Sequence, residues 1–238
     1  LNGHKEGEVQ MGKHYISREV NVIPITDKSL QLVPTQDVEI QKLINILPPE
    51  NHPTGQRRYI ITGGPGAGKT TIINELSKEY TVIPEAATTI IEKEIAEGII
   101  RPWQFDDYHI KVNQLNNINQ VKVQNLSVPI VFFDRGFLDS LSYILLQKRI
   151  LHQYVIDCVQ TVVNASYYEK DLFFIDNLEY VMPGPARNES LEESLQKAAC
   201  LEKNYRALGY NIIHVPPGPV EDRVAFIVAW IKLRNQLK

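Results

Sequence analysis

From Tyr59 onward, short apolar runs alternate with longer stretches in which apolar residues recur every three or four positions. That alternation predicts strands interleaved with helices, the pattern of a parallel sheet covered by helices on both faces. "YIIT", "TVIP", "PIVFFD", "LFFID" and "NIIHVP" are the strands, about five in all. "TTIINELSKE" and "EAATTIIEKEIAEG" predict helices, the second ended by Gly98. Further helices are expected from roughly Gln104 to Gln124, near 138 to 147 and 150 to 165, over 190 to 207, and from about Val220. No internal repeat interrupts the pattern.

Residues 1 to 56 read differently. "REVNVIPITDKSLQLVP" predicts two short extended segments, and "TQDVEIQKLINIL" a helix capped by Thr35 or Asp37. "LPPENHPTGQRR", with its prolines and glycine, marks a linker. The chain is therefore read as an extension and linker, 1–56, followed by one α/β domain, 57–238. The extension carries no recognisable chemistry; a docking element and the tail of an upstream domain both fit it. The opening "LNGHKEGEVQ" is polar, neither a signal peptide nor a membrane anchor. The longest apolar run, "AFIVAWI", falls well short of the roughly 20 residues of a membrane span and reads as a buried helix face.

Composition narrows the partners. A formal charge of -3, with 43% hydrophobic and 22% charged residues, gives no general attraction for nucleic acid or anionic lipid. Cys158 and Cys200 lack a metal-ligand spacing and lie in predicted helices, so both are expected reduced, in a cytoplasmic chain. The six histidines fit no nucleophile or metal pattern.

The strongest chemical signal lies between the first strand and the first helix. Gly63, Gly64, Pro65, Gly66, Ala67, Gly68, Lys69 and Thr70 match G-x-x-x-x-G-K-[ST] in full. Glycines let the backbone curl so that several N–H groups point at phosphate oxygens, and the helix N-terminus adds its positive end. Lys69 is expected to reach the β- and γ-phosphates, Thr70 to bind Mg²⁺, and Thr71 to contact the α-phosphate.

Three functions share such a loop: hydrolysis, phosphoryl transfer and plain binding. Many hydrolytic machines carry a water-activating glutamate directly after the strand-end aspartate, but Asp134 is followed by Arg135 and Gly136. The Asn-Lys-x-Asp guanine reader of a GTP switch is absent from the chain. A kinase needs Mg²⁺ ligands, positive charge around the moving phosphoryl group and a carboxylate near the acceptor hydroxyl. In a parallel sheet, Glu85 after the second strand and Asp134-Arg135 after the third converge on the edge that holds the phosphate loop. Simpler roles also fit: Glu85 as a helix N-terminal acid, Asp134 as a cap, and Arg135 as an ion-pair partner.

"GGPGAGKTT", "VIPEAATTII", "VFFDRGFLDSLSY" and "YRALGYNIIHVPPGPVEDRVAFI" resemble, in that order, a family of AAA-like P-loop ATP-binding domains. That family is similar to the nicotinamide riboside kinase domain of bacterial NAD regulators and, more distantly, to deoxynucleoside and thymidylate kinases. The resemblance covers about residues 57 to 238. It implies a P-loop NTPase fold of nucleoside-kinase type, five parallel strands in the order 2-3-1-4-5. It implies ATP and Mg²⁺ as cofactors and a small-molecule, nucleoside-like acceptor. Glu85 looks like the acceptor-side carboxylate and general base. Asp134 looks like a magnesium-site acid, and Arg135 a phosphate or acceptor contact, with Gly136 replacing the serine of the related motif. Arg187, in "PGPARNES", stands where such kinases carry a lid, although the spacing of that motif is altered. Arg223 would lie beside the adenine, where stacking on the base and pairing with an acid both fit. Trp103, Phe105, Tyr108 and Gln114 would sit near the acceptor side, where a ring-binding role and a plain core stripe are equally compatible with the spacing. The expected activity is phosphotransfer; a nucleotide-dependent regulatory module and a slow NTPase are the alternatives.

Overall fold

The structure, a computed structural model, describes residues 21–35, 38–45, 55–178 and 190–236. The polar opening, the Asp37 cap, most of the Pro/Gly linker and Arg187 with most of its loop lie outside the described residues. In chain order the elements are β1 (Leu32–Val33), α1 (Ile40–Leu43), β2 (Arg57–Thr62), α2 (Lys69–Leu76), β3 (Thr81–Ile83), α3 (Ala86–Ala96) and α4 (Tyr108–Gln124). There follow β4 (Ile130–Asp134), α5 (Phe137–Leu146), β5 (Leu151–His152), α6 (Gln153–Asn164), β6 (Asp171–Ile175), α7 (Leu191–Ala207), β7 (Asn211–Val215) and α8 (Val220–Gln236).

β3, β4, β2, β6 and β7 form one sheet in that order, with every pairing parallel. Counted along the chain this is 2-3-1-4-5. The inner strands carry apolar runs because they are covered on both faces, whereas β7, at the edge, exposes Asn211 and His214. Tyr59, Ile61, Phe132, Phe173, Ile175 and Ile213 face one way, against Ile72, Leu76 and Ile227 of α2 and α8. Ile60, Phe133, Leu172 and Phe174 face the other, against α5, α6 and α7. Gly98 stops α3 as anticipated, and a capping box starts α7. Gly98 follows α3 at φ +88, a left-handed position that suits glycine. Ser190 caps α7 by accepting from the Glu193 N–H at 3.1 Å, and Glu193 returns a 2.8 Å bond to the Ser190 N–H.

Two elements differ from their expectation. The helix expected from Gln104 begins only at Tyr108, after a single 3-10 turn at Pro102–Gln104. Arg101 takes φ +56 there, and Pro102 opens the turn, so the chain changes direction before α4 can start. The helix expected after Thr35 is the four-residue α1, preceded by Glu39. It ends early because Ile44 turns extended. The next residue, Asn45, exchanges 2.7 Å bonds in both directions with the Gln160 side-chain amide.

The described part of the extension is fastened to the α/β layers by this and similar contacts. β1 pairs antiparallel with β5, Leu32 opposite His152. The Asn117 amide accepts from the Ile23 N–H at 2.6 Å and donates to the Asn21 carbonyl at 3.2 Å. Ile40 and Ile44 are buried in the same cluster as Val155 and Val159 of α6.

Candidate active site

Parallel register brings the candidate residues to one edge. Ile61 of β2 lies opposite Asp134 of β4, and Ile83 of β3 lies opposite Phe133. Two residues beyond Ile83 comes Glu85; two beyond Phe133 comes Arg135. The two side chains meet at the carboxyl end of the sheet, with Arg135 Nε 2.6 Å from Glu85 Oε1. The loop that leaves β2 is Gly63–Gly68, directly beside them.

The loop is closely backed. A Cβ at Gly63, whose φ is +146, would lie 2.4 Å from the Ile175 carbonyl oxygen. No other residue fits that approach to β6 without backbone movement. Ser194 of α7 donates to the Pro65 carbonyl at 2.5 Å and accepts from Asn177 Nδ2 at 2.7 Å, so α7 buttresses the loop from the side. Lys69 is buried and folds back over the loop, donating to the carbonyls of Gly63 at 3.0 Å and Gly64 at 2.7 Å. Burial, and the like charge of Arg135, pull its ammonium down to about 7 from the usual lysine range, against the raising effect of Glu85, Asp134 and Asp139. A polyanion in the loop would supply the compensation that this buried cation lacks. Thr70 and Thr71, in the first turn of α2, are exposed.

The acids respond differently to the same surroundings. Burial pushes Glu85 up, but the charges of Arg135 and Lys69 outweigh it and hold the carboxyl below its ordinary value. Glu85 also accepts from Thr88 Oγ1 at 3.0 Å. Asp134 is raised to about 6, by burial first and by the Glu85 charge second, with Arg135 and Lys69 opposing. Its Oδ1 is buried without a hydrogen-bond partner. An orphaned carboxylate oxygen is costly unless something binds it, and at the end of the strand beside a phosphate loop a divalent cation is the fitting partner. Burial works against the Arg135 charge, yet Tyr143, Glu85, Asp139 and Asp134 together keep the guanidinium protonated well beyond its usual range.

Arg135 sits at φ +69, a left-handed conformation unusual for a residue with a side chain. Two contacts hold it there that its sequence neighbourhood only half announced. Its Nη1 donates to Asp139 Oδ1 at 2.9 Å and to the Tyr143 hydroxyl at 2.9 Å. Asp139 and Tyr143 follow Arg135 at four and eight residues in "DRGFLDSLSY", one helical face. That spacing was the available signal, and both residues went unremarked in the reading of the sequence.

At Gly136 an added side chain would collide with its neighbours. A Cβ there would lie 2.9 Å from both Ile60 Cδ1 and the Tyr205 hydroxyl, and the latter is tied to Asp139 Oδ2 at 2.5 Å. Gly136→Ala is expected to destabilise the fold by about 1–3 kcal/mol through overpacking. The urea midpoint of the variant against the parent measures this, and an unchanged midpoint would contradict the packing argument.

The remaining candidates divide. Tyr108 is buried against Ala86 and Val112, and its hydroxyl is pushed up first by burial and then by the charge of Glu85, which places it on the acid's side of the site. Trp103 and Phe105 are 41% and 53% exposed, and Gln114 is exposed on the outer face of α4. None of these three joins Tyr108 in its apolar cluster. Arg223 is buried behind the loop and donates to the carbonyls of Ala67 at 3.1 Å, Asp176 at 3.2 Å and Val215 at 3.4 Å. Its donors brace the loop against the ends of β6 and β7; they meet main-chain carbonyls, not an acid side chain.

A parallel 2-3-1-4-5 sheet with a glycine-rich phosphate loop between its central strand and the following helix defines a P-loop domain of the kinase-like type. Residues 58–223 match the AAA domain family designated AAA_28. The chain belongs to that family. No curated protein is significantly similar to it. Among solved structures, thymidylate kinase from Candida albicans is similar over 77% of this chain and 94% of its own, with a TM-score of 0.54 and 16% identity. NadR in complex with NR is similar over 67% of this chain and 45% of its own, with a TM-score of 0.52 and 16% identity. At that identity the likeness is one of fold, and this chain spans less than half the length of NadR.

Proposed function

We propose that the protein is a cytoplasmic, Mg·ATP-dependent phosphotransferase of nucleoside-kinase type, with residues 57–238 as its catalytic domain. The observation that carries this reading is the Glu85–Arg135 pair at the mouth of the phosphate loop, beside the unpartnered buried oxygen of Asp134. A binding module needs no buried acid–base cluster there, and the arrangement lacks the adjacent glutamate of many hydrolytic machines.

The roles follow from the geometry. The Gly63–Gly68 backbone and Lys69 hold the phosphates of the donor, Lys69 exchanging the Gly63 and Gly64 carbonyls for phosphate oxygens. Among the described residues no three or more His, Cys, Asp or Glu side chains could hold a metal by themselves. Thr70, at the start of α2, and Asp134, whose Oδ1 is buried without a partner, are the side chains that would hold a metal together with the donor's phosphates. Held by those residues, magnesium would supply charge neutralisation for the donor's phosphates. Arg135 offers its fixed positive charge to the phosphoryl group in flight, and Arg187 is the candidate second arginine. Glu85 accepts the proton of the acceptor hydroxyl. Held below the ordinary carboxylate range, it stays ionised at neutral pH, as a base must. Arg223 serves nucleotide binding by keeping the loop in shape. The acceptor is a small molecule carrying a hydroxyl, which meets Glu85 at the carboxyl end of the sheet. Nicotinamide riboside, which offers a hydroxyl, is a reasonable member of a test set, given the similar fold of NadR.

An acceptor screen tests the reading: ADP formation from Mg·ATP, followed with nucleosides, nucleoside monophosphates, nicotinamide riboside and sugars, each against an acceptor-free control. Acceptor-dependent ADP is the expected result. ADP at the same rate in every well would make the protein an NTPase, and tight ATP binding with no turnover would make it a binding module.

A further inference from the structure

Asp139, one of the two contacts on Arg135 Nη1 described above, accepts four hydrogen bonds. It lies in the first turn of α5 and its side chain is buried. Each carboxylate oxygen takes two donors. Oδ2 accepts from the Tyr205 hydroxyl at 2.5 Å and from the Gly136 N–H at 3.1 Å. Oδ1 accepts from Thr62 Oγ1 at 2.5 Å and from Arg135 Nη1 at 2.9 Å. A carboxylate has about four lone-pair sites, so this one is full.

The two oxygens face two parts of the molecule. Oδ2 is anchored to scaffold, namely the start of α5 and the last turn of α7. Oδ1 points to the site, holding Thr62, the last residue before the phosphate loop, together with the arginine that meets Glu85. Arg135 needs such a hold, because its backbone is left-handed and Glu85 reaches only its Nε. Without Asp139, neutral partners alone, the Tyr143 hydroxyl at 2.9 Å and the Gly63 carbonyl at 3.4 Å, oppose a fuller pairing of the guanidinium with Glu85, which would withdraw both the base and the phosphoryl-side cation.

We propose that Asp139 is a positioning residue for phosphoryl transfer: a buried bracket that fixes Arg135 relative to the phosphate loop and Glu85, through Thr62 on one side and Tyr205 of α7 on the other. This rests on the phosphotransfer reading given above. The step it supports needs no further reactant, since Asp139 neither gains nor loses a proton and touches neither substrate.

Asp139→Asn in the full chain keeps the volume but replaces one acceptor oxygen by a donor group and removes the charge. Its expected effect is a fall in kcat of about 100-fold, the scale of a small misplacement of a reacting group, with KM for ATP nearly unchanged. In an Arg135→Lys background, where the bracket has lost its guanidinium, the same change should add little further loss. Tyr205→Phe removes one hydroxyl from the anchor side without changing shape and should lower kcat about fivefold, the worth of one net hydrogen bond; it decides the matter if Asp139→Asn does not fold. A loss of thermal stability with kcat intact, in either variant, would mean that Asp139 is structural only. Full additivity with Arg135→Lys would also overturn the proposal. If the parent transfers phosphate to no acceptor, the phosphotransfer reading fails, and the positioning claim is still decided by the Arg135 Nε–Hε NMR resonance. That signal should be sharp in the parent and broadened or shifted in Asp139→Asn, and an unchanged signal would contradict the bracket.

Discussion

Lys69→Ala should weaken Mg·ATP binding by about 100-fold or more, since charge-assisted hydrogen bonds to phosphate are among the stronger single contacts a site can make. Turnover should disappear with it. The geometry says why no neighbour substitutes. Arg135, the other buried cation at the loop, is held by Glu85, Asp139 and Tyr143, and Arg223 is turned to main-chain carbonyls behind the loop. Lys69 is also the one of the three that spans the carbonyls of both Gly63 and Gly64; Arg135 Nη1 reaches only the Gly63 carbonyl, at 3.4 Å. The fold itself should survive, because the lysine is a buried cation whose charge is disfavoured by its surroundings. Isothermal titration with ATP and Mg²⁺, alongside a thermal melt of the free variant, measures both parts. Unweakened binding would remove the loop from the account.

Glu85→Gln should separate binding from chemistry. The amide keeps the size of the side chain and can still accept from Thr88, and Arg135 keeps its bonds to Asp139 and Tyr143. ATP binding should therefore be close to that of the parent. Transfer should fall by about 100- to 10,000-fold, the range for losing a general base. A modest fall, below about tenfold, would assign Glu85 to the orientation of Arg135 rather than to proton transfer. The comparison is informative because the carboxylate acts in two directions: it pairs with the arginine, and its charge helps push up the Tyr108 hydroxyl.

Much of this was legible in the chain before the fold was known, and the reasons are physical. Strands buried on both faces must be apolar at successive positions, so "PIVFF" and "LFFI" announced themselves. The phosphate loop is legible because glycines, lysine and threonine at fixed spacing answer one geometric need. The order of the sheet came with the resemblance and agrees with the observed pairings. Illegible were contacts between residues far apart in sequence. Asp139 shows its arginine at a spacing of four, but its anchor, Tyr205, lies 66 positions away. Arg223 looked like a residue for a base or an acid, and only the packing of α8 reveals three carbonyls around it. Trp103, Phe105 and Tyr108 share an aromatic composition that says nothing of direction; one faces the core and two face solvent. The pairing of β1 with β5 involves two residues on each side, too short for any periodicity to register.

The central claim is that the Glu85, Asp134 and Arg135 cluster makes the phosphate loop the donor half of a transfer site. ³¹P NMR of the parent protein with Mg·ATP and a pooled set of nucleosides, nucleotides and related hydroxyl acceptors tests it most directly, because it shows where the phosphate goes. The account predicts a new phosphoester resonance growing in step with the ADP signals and absent in Glu85→Gln. ADP accompanied only by inorganic phosphate, or an unchanged ATP spectrum with the full acceptor set present, would contradict it.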